Sequence, residues 1–225
     1  MIRSTLQLYA STVKETIEAL LRGPFVWLFL IVMPALVMGL GILLAPLGIV
    51  GRFALGFAAI SLFGAYLYGV GQCIERRTPL GTGIVRESMG HHLWDVMGVA
   101  FIHWMVSLAF QYGNLPAAVS MLVGIVGFIL FNPWTEVIHS ERAQGSMDIL
   151  VRSFRFMSSN GPEWIIPHLV LFGLMGGVSM VPGSMGDFLV FGSGIALHPF
   201  MVFRGVLYRK LAGDSRRSRA WRSQF

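Results

Sequence analysis

Apolar positions along the chain gather into six long runs, at 25–45, 53–72, 93–112, 116–131, 164–180 and 188–203, divided by polar stretches of two kinds. A membrane-spanning helix needs about 20 apolar residues, with a range of about 17–25. The fourth run is short, and it reads as a span through pairing with its neighbours. Each run is expected to be helical, because lipid offers backbone N–H and C=O groups no partners. The connections at 46–52, 113–115 and 181–187 are short, nearly uncharged and contain Pro or Gly, the residues of tight turns. Those at 73–92 and 132–163 are long and polar.

A second periodicity lies within the polar stretches. Before the first run, Leu6, Tyr9, Ala10, Val13, Ile17, Leu20 and Leu21 follow helical spacing, and Lys14, Glu15, Glu18 and Arg22 fall off that stripe. Lys14–Glu18 and Glu18–Arg22 are i,i+4 pairs of opposite charge, each worth about 0.2–0.5 kcal/mol. Before the fifth run, Met147, Leu150, Val151, Phe154 and Met157 make a like stripe, with Asp148, Arg152 and Arg155 on the other face. Before the third, Ile84, Val85, Ser88 and Met89 make a shorter version. These patterns predict three amphipathic helices at the membrane surface, apolar face down.

Composition points the same way. The 225 residues are 55% hydrophobic and 12% charged, with mean hydropathy +0.68, against about 25% charged in a soluble domain. The chain reads as an integral membrane protein. Its single cysteine, Cys73, excludes an internal disulfide. The first apolar run follows a charged amphipathic stretch and is too long for the core of a cleaved signal peptide.

The net charge of +6 matters through its placement. Of the 17 basic residues, only Arg52 lies in a short connection. The positive-inside rule then puts both termini and the long connections in the cytoplasm. The tail 204–225, with Arg216, Arg217, Arg219 and Arg222, is a polybasic segment beside the membrane. It is attracted to anionic lipid by roughly 1 kcal/mol per cation. The expected partners are the bilayer, its anionic lipids, and further copies or other membrane subunits; nucleic acid is not expected.

The polar stretches repeat at an offset of 66: Glu75 with Glu141, Arg76 with Arg142, Val85-Arg86 with Val151-Arg152, Pro116 with Pro182 and Pro133 with Pro199. The units span about 4–72, 76–131 and 142–203 of one membrane domain, all starting on the same side. The fold expected is therefore all-α. Six transmembrane helices form three hairpins in parallel pseudo-repeats, each hairpin preceded by an amphipathic interfacial helix. Glu75, Arg76, Arg86, Glu141, Arg142 and Arg152 form the candidate polar network. Its arginines reach lipid phosphate, or Glu75 pairs with Arg152 and Glu141 with Arg86 across the repeats. Gly173-x-x-x-Gly177 and the pair Gly192 and Gly194 are close-packing signals between helices.

The stretch TEVIHSERAQGSMDILVRSFRFMSSNGPEWIIPHLVLFGL resembles the signature of six-span bacterial membrane proteins of the glycerophosphoryl diester phosphodiesterase membrane-domain-like family. In that pattern an acidic residue ends one span, a Gly-containing step follows, then an amphipathic helix with Arg-Ser, then the next span. Glu141, Gly145, Arg152 and Ser153 occupy those places. The resemblance implies a membrane module of a bacterial cytoplasmic (inner) membrane. It does not imply the phosphodiesterase, for which the chain has no room.

Reaction centres find little support. Glu136 and His139 have the i,i+3 spacing of one arm of a carboxylate-bridged metal site, which needs several such arms. His91, His92 and Asp95 cluster at a span entrance and read as interface residues. The stretch FGSGIALH lacks the first glycine of an intramembrane serine protease's Gly-x-Ser-Gly, since Phe191 stands there; His198 is on the same run as Ser193. No phosphate-binding loop is written. His103 and His168 are the deepest ionisable residues, expected in the bundle interior, whereas Asp95, Glu136 and Asp187 lie near span ends. No metal or cofactor is expected. The leading expectation is a non-enzymatic module that organises the membrane, or an integral subunit of a larger assembly. The alternatives are the permease subunit of an ABC-2-like exporter and a lipid-modifying enzyme at the cytoplasmic interface.

Overall fold

A computed structural model describes residues 2–75, 81–88, 90–113, 116–141, 143, 145–179 and 184–213. Among them every regular element is helical: α1 Ile2–Arg22, α2 Pro24–Leu44, α3 Gly48–Glu75, α4 Gly83–Ser88, α5 Leu93–Tyr112, α6 Ala117–Phe131, α7 Trp134–Ser140, α8 Ser146–Ser179 and α9 Ser184–Gly213. Three stretches of described helix are long and apolar enough to cross a membrane: 35–75, Leu93–Tyr112 and Ala117–Ser140. The first contains the turn between α2 and α3, and the last continues from α6 into α7.

The first hairpin forms as its turn chemistry predicts. A short 3₁₀ turn, Ala45–Leu47, leads into Gly48 at φ 58°, a left-handed conformation that glycine adopts without steric penalty. A Cβ on Gly41 would lie 3.5 Å from Leu55 and one on Gly69 3.3 Å from Val26. The paired numbers have a nearly constant sum, so α2 and α3 run antiparallel. α8 and α9 also pack together, whereas α5 and α6 do not form a side-by-side pair among the described residues: α5 packs on α3 and α8, and α6 chiefly on α8. The second of the three expected hairpins is thus opened. One cause is visible at Gly98 of α5, where the absent side chain admits the hydroxyl of Ser146 at the start of α8.

The surface helices also differ from one another. The third is no separate element, because α8 runs unbroken from the amphipathic stretch into the apolar one, through Pro162 and Pro167. The second shrinks to α4, where Ser88 is buried and Ile84 half-buried; Met89 lies outside the described residues. The first is a full helix, but the face it buries is Thr12, Thr16 and Ala19, against α9 and α3. Tyr9 and Leu20 are half-buried, while Leu6, Val13, Ile17 and Leu21 stay exposed. The first turns of α8 repeat this three-sector design. Ile149, Ser153, Phe156 and Met157 are buried, Met147, Val151 and Phe154 are exposed and apolar, and Asp148, Arg152 and Arg155 make the charged side.

The core occupies one end of the molecule. Tyr66, Leu67, Val70 and Ile74 of α3 pack with Val137 and Ile138 of α7, Ile149, Phe156 and Trp164 of α8, and Val202, Val206, Leu207, Tyr208 and Leu211 of α9. At the opposite end Ile42, Leu43, Ile49 and Phe53 are exposed, as are most side chains of α5 beyond Val99 and of α6. We call these the packed end and the open end.

Candidate functional site

The packed end holds a polar network built on a break between two helices. Asn132 ends α6 and Pro133 starts α7. The last carbonyls of a helix have no intrahelical partner. Arg204 of α9 supplies a donor at this junction: its Nη2 donates to the Asn132 carbonyl at 2.8 Å, and also to Glu136 Oε2 at 2.8 Å. The Thr135 hydroxyl donates to the same carboxylate oxygen at 2.9 Å. Glu136 is fully buried and Arg204 nearly so. An uncompensated buried charge is strongly unfavourable, so each of the pair needs the other. The guanidinium also lies 5.4 Å from the centre of the Trp164 ring, and the Trp164 indole N–H donates to the Asn132 side chain at 3.0 Å.

One turn along α9, Tyr208 donates to Glu141 Oε1, while Glu141 Oε2 accepts from Arg152 Nη1 at 2.9 Å. Arg152 Nε donates to Asp148 at 2.9 Å. Phe156 stacks on Tyr208 with ring centres 4.4 Å apart and meets Trp164 edge-on. Burial and the neighbouring carboxylate of Glu141 hold the Tyr208 phenol well above its usual range. Further along, Arg209 donates to the Ile74 carbonyl at 2.9 Å, close to the end of α3, where helices carry unpaired C=O groups. Arg209 and Lys210 then grip Glu15 of α1 at 3.0 and 2.8 Å. Burial raises the Glu15 carboxyl, but Lys210 and Arg209 outweigh it and hold the group below the usual carboxylate range.

α1 is tied in a second place by a proline. Pro167 lacks the N–H that would bond the Glu163 carbonyl four residues earlier, and the Tyr9 hydroxyl donates to that carbonyl at 2.8 Å. Burial and the charge of Glu163 push the Tyr9 phenol up to about 12.

Of the predicted network, the structure brings together Glu141 and Arg152. The cross-repeat pairs are not formed, because Arg152 is taken by Glu141 and Asp148, both close to it in sequence. Glu75 is exposed at the end of α3 and Arg86 is exposed on α4. Arg76, Arg142 and the tail residues Arg216, Arg217, Arg219 and Arg222 lie outside the described residues. Gly173 is exposed, and a Cβ there would meet no atom within 4 Å. Gly177, Gly192 and Gly194 lie on α8 and α9, with surroundings outside what the structure describes. Among the described residues, close packing occurs at Gly71 and Gly205, which flank the buried His139; Gly205 also touches Ile74.

The histidines separate. His168 is buried and its Nδ1 donates to the Trp164 carbonyl at 2.7 Å. His198 is buried against Tyr66, 3.0 Å from its hydroxyl. His103 is exposed on α5, so it does not share the interior with His168. His91 and His92 have ring centres 4.8 Å apart, and His92 lies 3.7 Å from Asp95. No group of three or more His, Cys, Asp or Glu is placed to hold a metal among the described residues.

Sequence reasoning missed Asn132, Trp164, Arg204 and Tyr208 as partners. The available signals were Pro133 beside a polar residue at the end of an apolar run, and the basic residues at the close of the sixth run. Compared with protein-family models, curated proteins and solved structures, the chain shows no match.

Proposed function

We propose that this chain is a non-enzymatic multi-pass membrane protein, working as a membrane-organising module or as an integral subunit of a larger assembly. The observation that carries the reading is the contrast in surface: a packed end stitched by ion pairs, and an open end where α5 and α6 expose Phe101, Trp104, Met121, Leu122 and Phe128. Contiguous exposed apolar surface of this kind marks contact with lipid or with partner helices. The remaining apolar parts of α2, α8 and α9 complete a six-span bundle in this reading. The arginine-rich connections and both termini then lie in the cytoplasm of a bacterial cell. The exposed apolar strips of α1 and early α8 rest in the headgroup region, with Lys14 and Arg155 beside them toward anionic lipid. The test is purification of the full chain in mild detergent and reconstitution into liposomes. The expected result is a stable assembly larger than a monomer, or altered vesicle shape. A solitary monomer that leaves vesicles unchanged would overturn the reading.

A further inference from the structure

α5 carries a polar stripe that the bundle does not use. Ala100, His103, Ser107 and Gln111 follow spacings of three and four residues, so they share one helix face. Ala100, His103 and Gln111 are exposed and Ser107 is half-buried. The stripe continues the line of Val96 and Val99, which are buried. The helix therefore leaves the bundle just where its face turns polar. His103 sits at the middle of Leu93–Tyr112. Its carbonyl is taken by the Ser107 hydroxyl at 2.9 Å, while its ring nitrogens have no partner among the described residues.

Acyl chains cannot satisfy an imidazole, and ionisable residues within a span face protein or a water-filled cavity. Small and hydroxyl-bearing residues, with His, Asn and Gln, are what helices in lipid use to associate. A neutral imidazole carries one N–H donor and one acceptor nitrogen, so His103 is complementary to itself. Two like-oriented α5 helices related by a two-fold axis along the membrane normal bring the two rings to the same depth. The interface is isologous, with the same patch on both sides.

We propose that the Ala100–His103–Ser107–Gln111 face of α5 is where a second copy of this chain docks. This deepens the proposed function and rests on α5 crossing the bilayer. Cys73 is the only cysteine, so Cys73→Ala provides a background for single-cysteine probes in the full chain, reconstituted in liposomes. A disulfide needs Cβ atoms about 3.5–4.5 Å apart. Oxidation is expected to link copies through Ala100→Cys, which leaves His103 in place, and to give far less product through Met105→Cys on the opposite face. Equal or greater linkage at 105, or none at 100, overturns the proposal. A membrane-impermeant maleimide distinguishes the two failures. Protection at 100 without linkage leaves α5 in the bilayer and removes only the self-association; labelling from water removes the span and the inference together. In the otherwise unaltered chain, His103→Leu is expected to reduce the dimer fraction about ten-fold while His103→Gln, which keeps a donor and an acceptor, retains it. A monomer–dimer balance indifferent to both variants overturns the proposal independently of the cysteine probes.

Discussion

The packed end and the open end share α3, α5 and α8 yet follow different physics. At the packed end Trp164, Tyr208 and Phe156 bury their rings, and the Trp164 indole and Tyr208 hydroxyl donate to Asn132 and Glu141. At the open end Ile49, Phe53 and Tyr112 are about four-fifths exposed. Burying apolar surface is favourable only when it leaves water. Among acyl chains, leucine against leucine gains little over leucine against lipid, so helices there are held by close packing and hydrogen bonds. The contrast teaches that the chain concentrates its side-chain hydrogen bonds and its buried ion pair where water would otherwise compete. It leaves the shape of the other end to whatever surrounds it.

Substitutions can break this contrast, and the largest effect is expected at the buried pair. Arg204→Met should destabilise the protein by about 3–5 kcal/mol, because Glu136 is left charged and alone in the interior. Adding Glu136→Leu should restore part of that, with the Asn132 carbonyl still lacking its donor. Thermal unfolding of the purified variants in detergent checks both, and a single variant as stable as the parent would refute the assignment. Gly205→Ala comes next, at about 1–3 kcal/mol, since the added methyl meets Ile74 and the His139 ring. The same assay reads it.

Smaller effects sharpen the comparison. Tyr9→Phe removes one hydrogen bond, worth about 0.5–1.5 kcal/mol, and amide exchange should rise along α1 with α5 and α6 unaffected. Acid should loosen the same helix. The folded Glu15 carboxyl lies below its ordinary value of 4.5, so its contribution is present above 4.5 and is lost as pH falls through the folded value. Limited proteolysis of α1 should therefore increase below that point, and in a Glu15→Gln variant this pH dependence should shrink. At the open end, Met121→Leu on α6 should stay within about 0.5 kcal/mol; a large loss in the same unfolding assay would mean that α6 is packed in a way its exposure denies.

Much of the helical content was legible from periodicity alone. The runs at 25–45, 53–72 and 93–112 match α2, α3 and α5 to within a few residues at most ends, because long apolar segments have a single backbone solution in lipid. The amphipathic stripes of α1 and α8 were legible as stripes, but not the sector each helix buries. A helix with polar, apolar and small-residue sectors has two faces that can go inward. Thr12, Thr16 and Ala19 win in α1 since small side chains let α9 approach closely. The pairing of Glu141 with Arg152 was missed for a related reason. Matching positions in a repeat invite cross-repeat pairs, whereas Gly145, at φ 93°, turns the chain so that Glu141 reaches the side of α8 directly. From the sequence Arg204 is one more topogenic cation; only the fold shows that it reaches the junction between α6 and α7.

The bond between Tyr9 and the Glu163 carbonyl joins positions 154 residues apart. A ribosome making this chain releases the tyrosine long before it makes the proline that frees its acceptor. Throughout that interval α1 has α3 but not yet α9 to dock on, and the lipid surface is where its uncovered leucines can wait. Biogenesis thus gives the amphipathic character of α1 a use that the finished fold, taken alone, would not require.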